Sequence, residues 1–142
     1  MIIKYLAAIA IAVSIFCCQA TENLANTSLA VCIPIWCNKP NFTNELLYSL
    51  KQNYDILKDA GCTTKLFFRN DTGNPNVTAD EMKVLEDLLT YYNLSEISTL
   101  NTNEKNCGTM YTRLMLQGDA TEFLFNEKEK LRTVIITFVD SD

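Results

Sequence analysis

The stretch TNELLYSLKQNYDILKDAGCTTKLFFR, residues 43–69, decides the expected fold, because a helical pattern gives way to a strand-like one within it. From Thr43 to Ala60, apolar side chains recur every three or four residues, and this spacing predicts an amphipathic helix. Gly61 supplies the left-handed residue that ends such a helix. Residues 63–69 are rich in β-branched and aromatic side chains, so they predict a strand that follows at once.

A second helix is predicted beyond the turn-rich loop that contains Gly73 and Pro75. Its first residues, Thr78 to Glu81, have the spacing of a capping box, in which a hydroxyl and a carboxylate satisfy the backbone at the helix start. Apolar residues then continue at helical spacing as far as Tyr92. The predicted helix spans residues 78–92.

The C-terminal third has a β-like composition and predicts three strands joined by hairpins, one of them at Gly118-Asp119. Consecutive strands with short connections favour an antiparallel meander. The last strand is apolar on both faces, which predicts a central position or the wall of a cavity. The candidate strands are residues 109–116, 121–125 and 131–139.

These elements predict one α+β domain over residues 32–142, with two amphipathic helices packed on a mainly antiparallel, disulfide-stabilised sheet. The order of elements resembles cystatin-like and small calycin-like secreted proteins in broad layout. The chain lacks a cystatin-type QxVxG loop. Layout alone implies no function.

Residues 1–20, MIIKYLAAIAIAVSIFCCQA, have the pattern of a secretory signal peptide with cleavage after Ala20. A membrane anchor is the alternative, but the apolar run is short for a bilayer core of about 30 Å. The polar residues 21–31 predict a flexible N-terminal segment. We therefore expect a secreted, extracellular protein with no membrane span after cleavage.

Two of the six cysteines, Cys17 and Cys18, leave with the signal peptide. The other four form an even set in an oxidising compartment and predict two disulfides, whose three connectivities remain open. A zinc site would need histidines or a CxxC pair, and the chain has neither. The predicted disulfide residues are Cys32, Cys37, Cys62 and Cys107.

Five N-x-Ser/Thr sequons predict a glycoprotein. Four lie before or around the two predicted helices, and none lies between the fifth and the C-terminus. Because glycans exclude partners by their bulk, the bare residues 109–139 are the expected docking surface. The acceptor residues are Asn26, Asn41, Asn70, Asn76 and Asn93.

The complete absence of histidine excludes histidine-dependent triads, nucleases and zinc sites. No P-loop, GxGxxG or GxSxG motif is present, and the formal net charge of −5 argues against a nucleic-acid partner. Paired carboxylates and the Cys32 to Cys37 thiol pair remain, but neither has a supporting motif. We therefore expect a non-enzymatic protein without a metal or cofactor.

The composition favours a binding protein that inhibits or modulates an extracellular protein partner. The alternative is a calycin-like carrier of a small apolar ligand, with Phe123, Phe125 and Phe138 as the candidate cavity residues. Ordinary burial in the core is the commoner use of such phenylalanines. A void behind the sheet would favour the carrier, and a filled core would favour the protein binder.

Overall fold

The computed structural model describes residues 27–35, 40–71, 75–126 and 133–139. Helices and strands alternate along these ranges, and a single 3₁₀ turn at Ser95–Ile97 precedes the third strand. No helix within the described ranges is long and apolar enough to cross a membrane. The elements are β1 (Thr27–Ile35), α1 (Pro40–Asp59), β2 (Thr63–Asn70), α2 (Pro75–Tyr91), β3 (Ser98–Thr102), α3 (Thr109–Asn126) and β4 (Thr133–Phe138).

The four strands form one sheet in the order β3-β2-β1-β4, and every pair is parallel. The expected α+β fold with a mainly antiparallel sheet is therefore wrong, and the protein has an α/β fold. The physical reason is the connections: a helix between consecutive strands returns the chain to the edge where it started, so the next strand runs in the same direction.

Two apolar cores lie on opposite faces of the sheet. The larger core packs α1 and α2 against the sheet through Leu47, Leu85, Ile33 and Phe68, each at most 1% exposed. The smaller core lies under α3 and consists of Ala30, Cys32, Phe67, Leu116 and Ala120. Neighbouring residues of β1 and β2 alternate between the two cores because successive side chains of a strand point to opposite faces.

The predictions for α1, β2 and α2 are confirmed as elements. Gly61 ends α1 with φ +82°, where its N–H donates to Lys58 O while the next N–H donates to Leu57 O. This pair of bonds defines a Schellman motif. Both Pro40 and Pro75 are first helical residues, a position where the missing N–H costs nothing. Because α2 begins at Pro75, the predicted cap at residue 78 lies inside the helix.

The N-terminal expectations are wrong where the structure describes them. Residues 27–31 are part of β1 rather than a flexible segment, and the strand continues through residues 32–35. Every residue of β1 is buried because the strand lies between two neighbours and under helices on both faces. Short runs of apolar residues are typical of such fully buried parallel strands.

Pro34 is fully buried within this central strand, although proline cannot donate to a strand ladder. The Cys32 carbonyl accepts the Val139 N–H, whereas the Ile35 carbonyl accepts the Asp71 N–H. The backbone groups of even-numbered residues of β1 therefore face β4, and those of odd-numbered residues face β2. The backbone nitrogen of Pro34 faces β4. The ladder with β4 ends at the pair of residues 32 and 138, so the missing N–H of Pro34 removes no bond from it.

The predicted strands at 109–116 and 121–125 are wrong, because residues 109–126 form α3. Gly118 and Asp119, predicted to form a hairpin turn, lie inside this helix. Apolar residues occur all around α3: Leu116 is fully buried against the sheet, and Leu114 on the other side is 60% exposed. Without a clear apolar stripe, helical periodicity is not visible in the sequence.

The predicted strand at 131–139 is confirmed as β4 over residues 133–138, but it is an edge strand rather than a central one. Ile136 of β4 packs against the smaller core, and Val139, directly after the strand, belongs to the larger core, so this segment contacts both faces of the sheet. Residues 98–102, where no strand was predicted, form β3 at the opposite edge.

The expected disulfide framework is also wrong. Cys32, Cys62 and Cys107 carry free thiols, and Cys37 lies outside the described residues. Each of the three two-bridge connectivities needs one bond between two of these described thiols, and the structure shows no such bond. A disulfide to Cys37 stays a prediction. The fold explains this separation, since Cys32 lies in the smaller core and Cys62 in the larger core on the other face.

Candidate functional site

Polar side chains gather at the carboxyl edge of the sheet, where the parallel strands β2 and β3 end together. Asn70 ends β2, Asp71 follows it, and Asn103 follows β3. All three are buried, with at most 7% exposure. Buried polar groups need hydrogen-bond partners, and here the partners lie on β2, in the segment after β3 and on α3. We call Arg69, Asp71, Asn101, Asn103, Thr112 and Asp119 the carboxyl-edge network.

Asp71 is the centre of this network and is fully buried. Its Oδ1 atom accepts the Asn103 Nδ2–H at 2.8 Å and the Cys107 N–H at 2.8 Å. Asn103 Nδ2 also donates to Thr112 Oγ1 at 3.0 Å. One carboxylate therefore fixes the residues after β3 and the start of α3 relative to the end of β2.

Arg69 connects the network to the middle of α3. Its guanidinium donates from Nη1 to Asn103 Oδ1 at 3.1 Å and from Nη2 to Asp119 Oδ2 at 2.8 Å. Asn101, which is in register with Arg69 on the neighbouring strand, donates to the same Asp119 oxygen at 3.1 Å. The Arg69 side chain is 9% exposed and that of Asp119 is 22% exposed, so this ion pair is largely removed from water.

The environment of Asp71 keeps its carboxylate ionised. Burial alone would raise its pKa, but hydrogen bonds from Asn103 and the Cys107 N–H, with smaller contributions from Thr112 and the Gly108 N–H, hold the pKa below its ordinary value. Hydrogen bonds to the charged form favour that form. The site therefore contains a buried anion at neutral pH.

Two buried polar atoms of the network have no hydrogen-bond partner among the described residues. They are Asp71 Oδ2 and Arg69 Nε. An unsatisfied buried acceptor costs roughly 1–3 kcal/mol, more when it is charged, so a native structure that keeps one needs an explanation. A carboxylate oxygen only accepts, which makes Asp71 Oδ2 suited to an N–H or O–H donor.

The three described cysteines differ in environment. Burial and the nearby Asp119 charge raise the pKa of the Cys32 thiol to about 12. Burial also raises the pKa of Cys62, against the opposing effect of hydrogen bonds. Cys107 is partly exposed, and its thiol donates to Lys105 O at 3.1 Å. Among the described residues, no three Asp, Glu or Cys side chains form a group that could hold a metal ion.

The candidate cavity phenylalanines do not form one group. Phe123 packs beside the smaller core, with its ring centroid 5.9 Å from that of Phe67. Phe138 on β4 is 37% exposed, and the side chain of Phe125 lies outside the described residues. Phe123 therefore has the ordinary core role that was the alternative to a ligand site.

The described sequons differ sharply in exposure. The side chain of Asn70 is fully buried, whereas Asn93 is exposed in the turn after α2. Asn41 and Asn76 lie in the first turns of α1 and α2, where the side chains are outside the described residues. Asn26 also lies outside them.

The region predicted to be a bare docking surface exposes the outer face of α3. Met110, Tyr111 and Leu114 are 79%, 48% and 60% exposed, and all three lie on the side of the helix turned away from the sheet. Several exposed apolar side chains on one helix face are a feature of interaction surfaces.

Sequence reasoning missed the carboxyl-edge network. The signal was present, because Arg69, Asn70 and Asp71 stand directly after the apolar run Leu66 to Phe68. Polar residues at the end of a strand point to a site only when the strand is parallel to its neighbours, since parallel strands bring their carboxyl ends to one edge. Because an antiparallel sheet was predicted, there was no reason to infer a site at the end of β2.

Comparisons with known protein families, with curated proteins and with solved structures found no match to this chain. The class of protein therefore follows from the fold alone. A parallel sheet in the order β3-β2-β1-β4, with helices on both faces, defines a doubly wound α/β protein.

Proposed function

We propose that this chain binds a nucleotide-type ligand at the carboxyl edge of its sheet. The observation that carries the proposal is the buried, ionised Asp71 at the end of β2, whose Oδ2 has no hydrogen-bond partner among the described residues. In doubly wound sheets, ligands bind outside the carboxyl ends of the strands, at the point where the strand order reverses. In this sheet the order reverses between β1 and β4, and Asp71 follows β2, the strand on the other side of β1.

The position of Asp71 supports the ligand class. In nucleotide-binding folds of this type, an acidic residue after the second strand accepts a hydrogen bond from a ribose hydroxyl. Asp71 directly follows β2. The residues after β1, Trp36 to Lys39, contain no glycine, so the glycine-rich loop of dinucleotide-binding proteins is absent from the sequence. The assignment to nucleotides rests on fold analogy together with the chemistry of Asp71.

The neighbouring residues of the network hold the Asp71 carboxylate in one orientation. Asn103 and the Cys107 N–H both bond to Oδ1, which fixes the orientation of the carboxylate. Asp71 is fully covered, so a ligand reaches Oδ2 only through a local opening of the surrounding chain.

The test is calorimetric titration of the chain with the diphosphates of adenosine, guanosine, cytidine and uridine. We expect one of them to bind, and Asp71→Asn to weaken that binding roughly 10- to 100-fold, the value of a hydrogen bond to a charged group. Asp55→Asn is the matched control, because Asp55 is an exposed carboxylate on α1. It should bind like the wild type.

A second measurement keeps the proposal testable if Asp71→Asn does not fold. Amide chemical shifts of the wild-type chain should change on titration at Asp71, Asn103 and Cys107, and should stay constant along the exposed side of α1. If no diphosphate binds at millimolar concentration, or if the shifts change elsewhere only, the proposal is wrong.

The predicted extracellular protein partner stays a prediction, as do secretion and the absence of enzymatic activity. The outer face of α3, formed by Met110, Tyr111 and Leu114, is the described surface on which that partner would dock. It lies on the opposite side of α3 from Leu116 and Ala120, which pack on the sheet.

A further inference from the structure

Asn70 and Asn93 are sequon residues with described side chains, and the fold treats them in opposite ways. Asn70 ends β2 and pairs in register with Ile35 on one side and Thr102 on the other. Its side chain is fully buried, and its carbonyl accepts the Asn103 N–H at 2.9 Å. A glycan on Asn70 has no space in this fold.

Asn93 occupies a turn that presents it to solvent. The Leu94 N–H donates to Leu89 O at 2.8 Å and the Asn93 N–H donates to Thr90 O at 3.0 Å, which is the bond pattern of a Schellman motif. Asn93 is the left-handed residue of the motif, with φ +55°. Leu94 is fully buried beside it and anchors the turn, so the exposed Asn93 side chain is held outside the core.

An exposed aromatic residue, Tyr91, lies two residues before Asn93 in the chain. Tyr91 is 75% exposed, and its ring stands edge-on to Tyr92, with centroids 5.0 Å apart and an interplanar angle of 84°. Tyr92 is held in turn by its hydroxyl, which donates to Asn44 Oδ1 at 2.8 Å. The C–H face of a pyranose packs favourably on such a ring, because both surfaces are apolar.

We propose that Asn93 carries an N-glycan whose first sugar packs against Tyr91, and that Asn70 carries none in the folded protein. This inference rests on the predicted secretion and is independent of nucleotide binding. In the transfer, Asn93 Nδ2 bonds to the C1 atom of a lipid-linked oligosaccharide pyrophosphate. The C1–O bond breaks, Nδ2 loses a proton, and the lipid pyrophosphate leaves.

The occupancy test uses a matched pair of variants that keep both asparagines. Thr72→Ala removes the Asn70 sequon, and Ser95→Ala removes the Asn93 sequon. The full chain is expressed in cells with N-glycosylation, and the secreted protein is analysed by gel mobility and peptide mass spectrometry. We expect Ser95→Ala to lose one glycan and Thr72→Ala to lose none. A glycan on Asn70, or an unmodified Asn93, would overturn the proposal.

The packing test compares the thermal midpoint before and after enzymatic removal of glycans. We expect a fall of about 2–4 °C for the wild type and a smaller fall for Tyr91→Ala. Asn93→Gly is the control for the turn itself, because glycine also adopts the left-handed conformation and carries no glycan. An equal fall in the wild type and in Tyr91→Ala would overturn the contact between the sugar and the ring.

Discussion

The two faces of the sheet are built in different ways. The face under α1 and α2 is closed by large apolar side chains such as Leu47 and Phe68. The face under α3 has a smaller core with two alanines and a cysteine, and an ion pair joins α3 to the sheet beside it. The difference indicates that one face supplies most of the stability, while the other combines modest packing with a polar site.

Phe68 and Phe67 test this difference directly, because they are adjacent in β2 and point into opposite cores. We expect Phe68→Ala to lower the free energy of unfolding by about 4–5 kcal/mol and Phe67→Ala by about 3 kcal/mol, since a phenylalanine with more buried neighbours leaves a larger cavity. Urea denaturation of both variants measures the two losses. Equal losses would show that the two cores contribute alike.

The ion pair of the α3 face should be worth more than a pair on the surface of α1. Asp119→Asn leaves the buried Arg69 without its charged partner, and we expect a loss of about 2 kcal/mol, below the value for a fully buried pair because Asp119 is partly exposed. Asp55→Asn breaks the Lys51–Asp55 pair, and we expect at most about 0.5 kcal/mol. Similar losses in both variants would contradict a special role for Arg69.

Asp71 should make the α3 face sensitive to acid. Its pKa is lowered in the folded chain, so its ionised form contributes stability that is complete above the unfolded value of about 4 and is lost as the pH falls through the folded value. In Asp71→Asn, the free energy of unfolding should therefore decrease less steeply as the pH falls below about 4. Chemical denaturation at a series of pH values measures the slope.

Glu81 on α2 gives a control of opposite sign. Burial raises its pKa, so protonation stabilises the folded chain as the pH falls. Glu81→Gln should make the acid-induced loss steeper, whereas Asp71→Asn makes it shallower. If both variants change the slope in the same direction, the assigned environments are wrong.

Gly118 gives the smallest expected effect and tests whether α3 is a helix. A Cβ at this position meets no atom within 4 Å. Gly118→Ala should therefore stabilise the chain by about 0.5–1 kcal/mol, because alanine is the better helix former. In the hairpin turn predicted from sequence, the same change would destabilise the chain. The sign of the shift in the thermal midpoint decides between the two structures.

The same comparison explains how far the sequence could be interpreted. The elements of the α1 and α2 face were predictable, because Leu46, Leu50 and Leu57 form one stripe and Gly61 ends the helix with its own conformational signature. A helix packed on one large core needs a single apolar side. The helical spacing of its apolar residues is therefore visible in the sequence, even when the surface it packs against is unknown.

The α3 face was not predictable by the same reasoning. Leu116 is buried while Met110 and Leu114 are exposed, so hydrophobicity around α3 does not separate inside from outside. The direction of a strand also depends on the element that connects it to the previous strand. Because residues 109–126 were interpreted as two strands instead of the helix α3, an antiparallel sheet was predicted in place of a parallel one. The carboxyl-edge network then remained hidden, because its members meet only at a shared edge of parallel strands.

The central position of β1 has a consequence for the order in which the chain folds. Thr27 pairs in register with Thr133, so the first described strand meets the last one across about a hundred residues of sequence. During synthesis, β1 can join β2 early, while its other edge stays open until β4 has left the ribosome. Such distant pairing slows folding. Until then, the apolar edge of β1 is exposed to aggregation, and a chaperone that covers it would raise the yield of native protein.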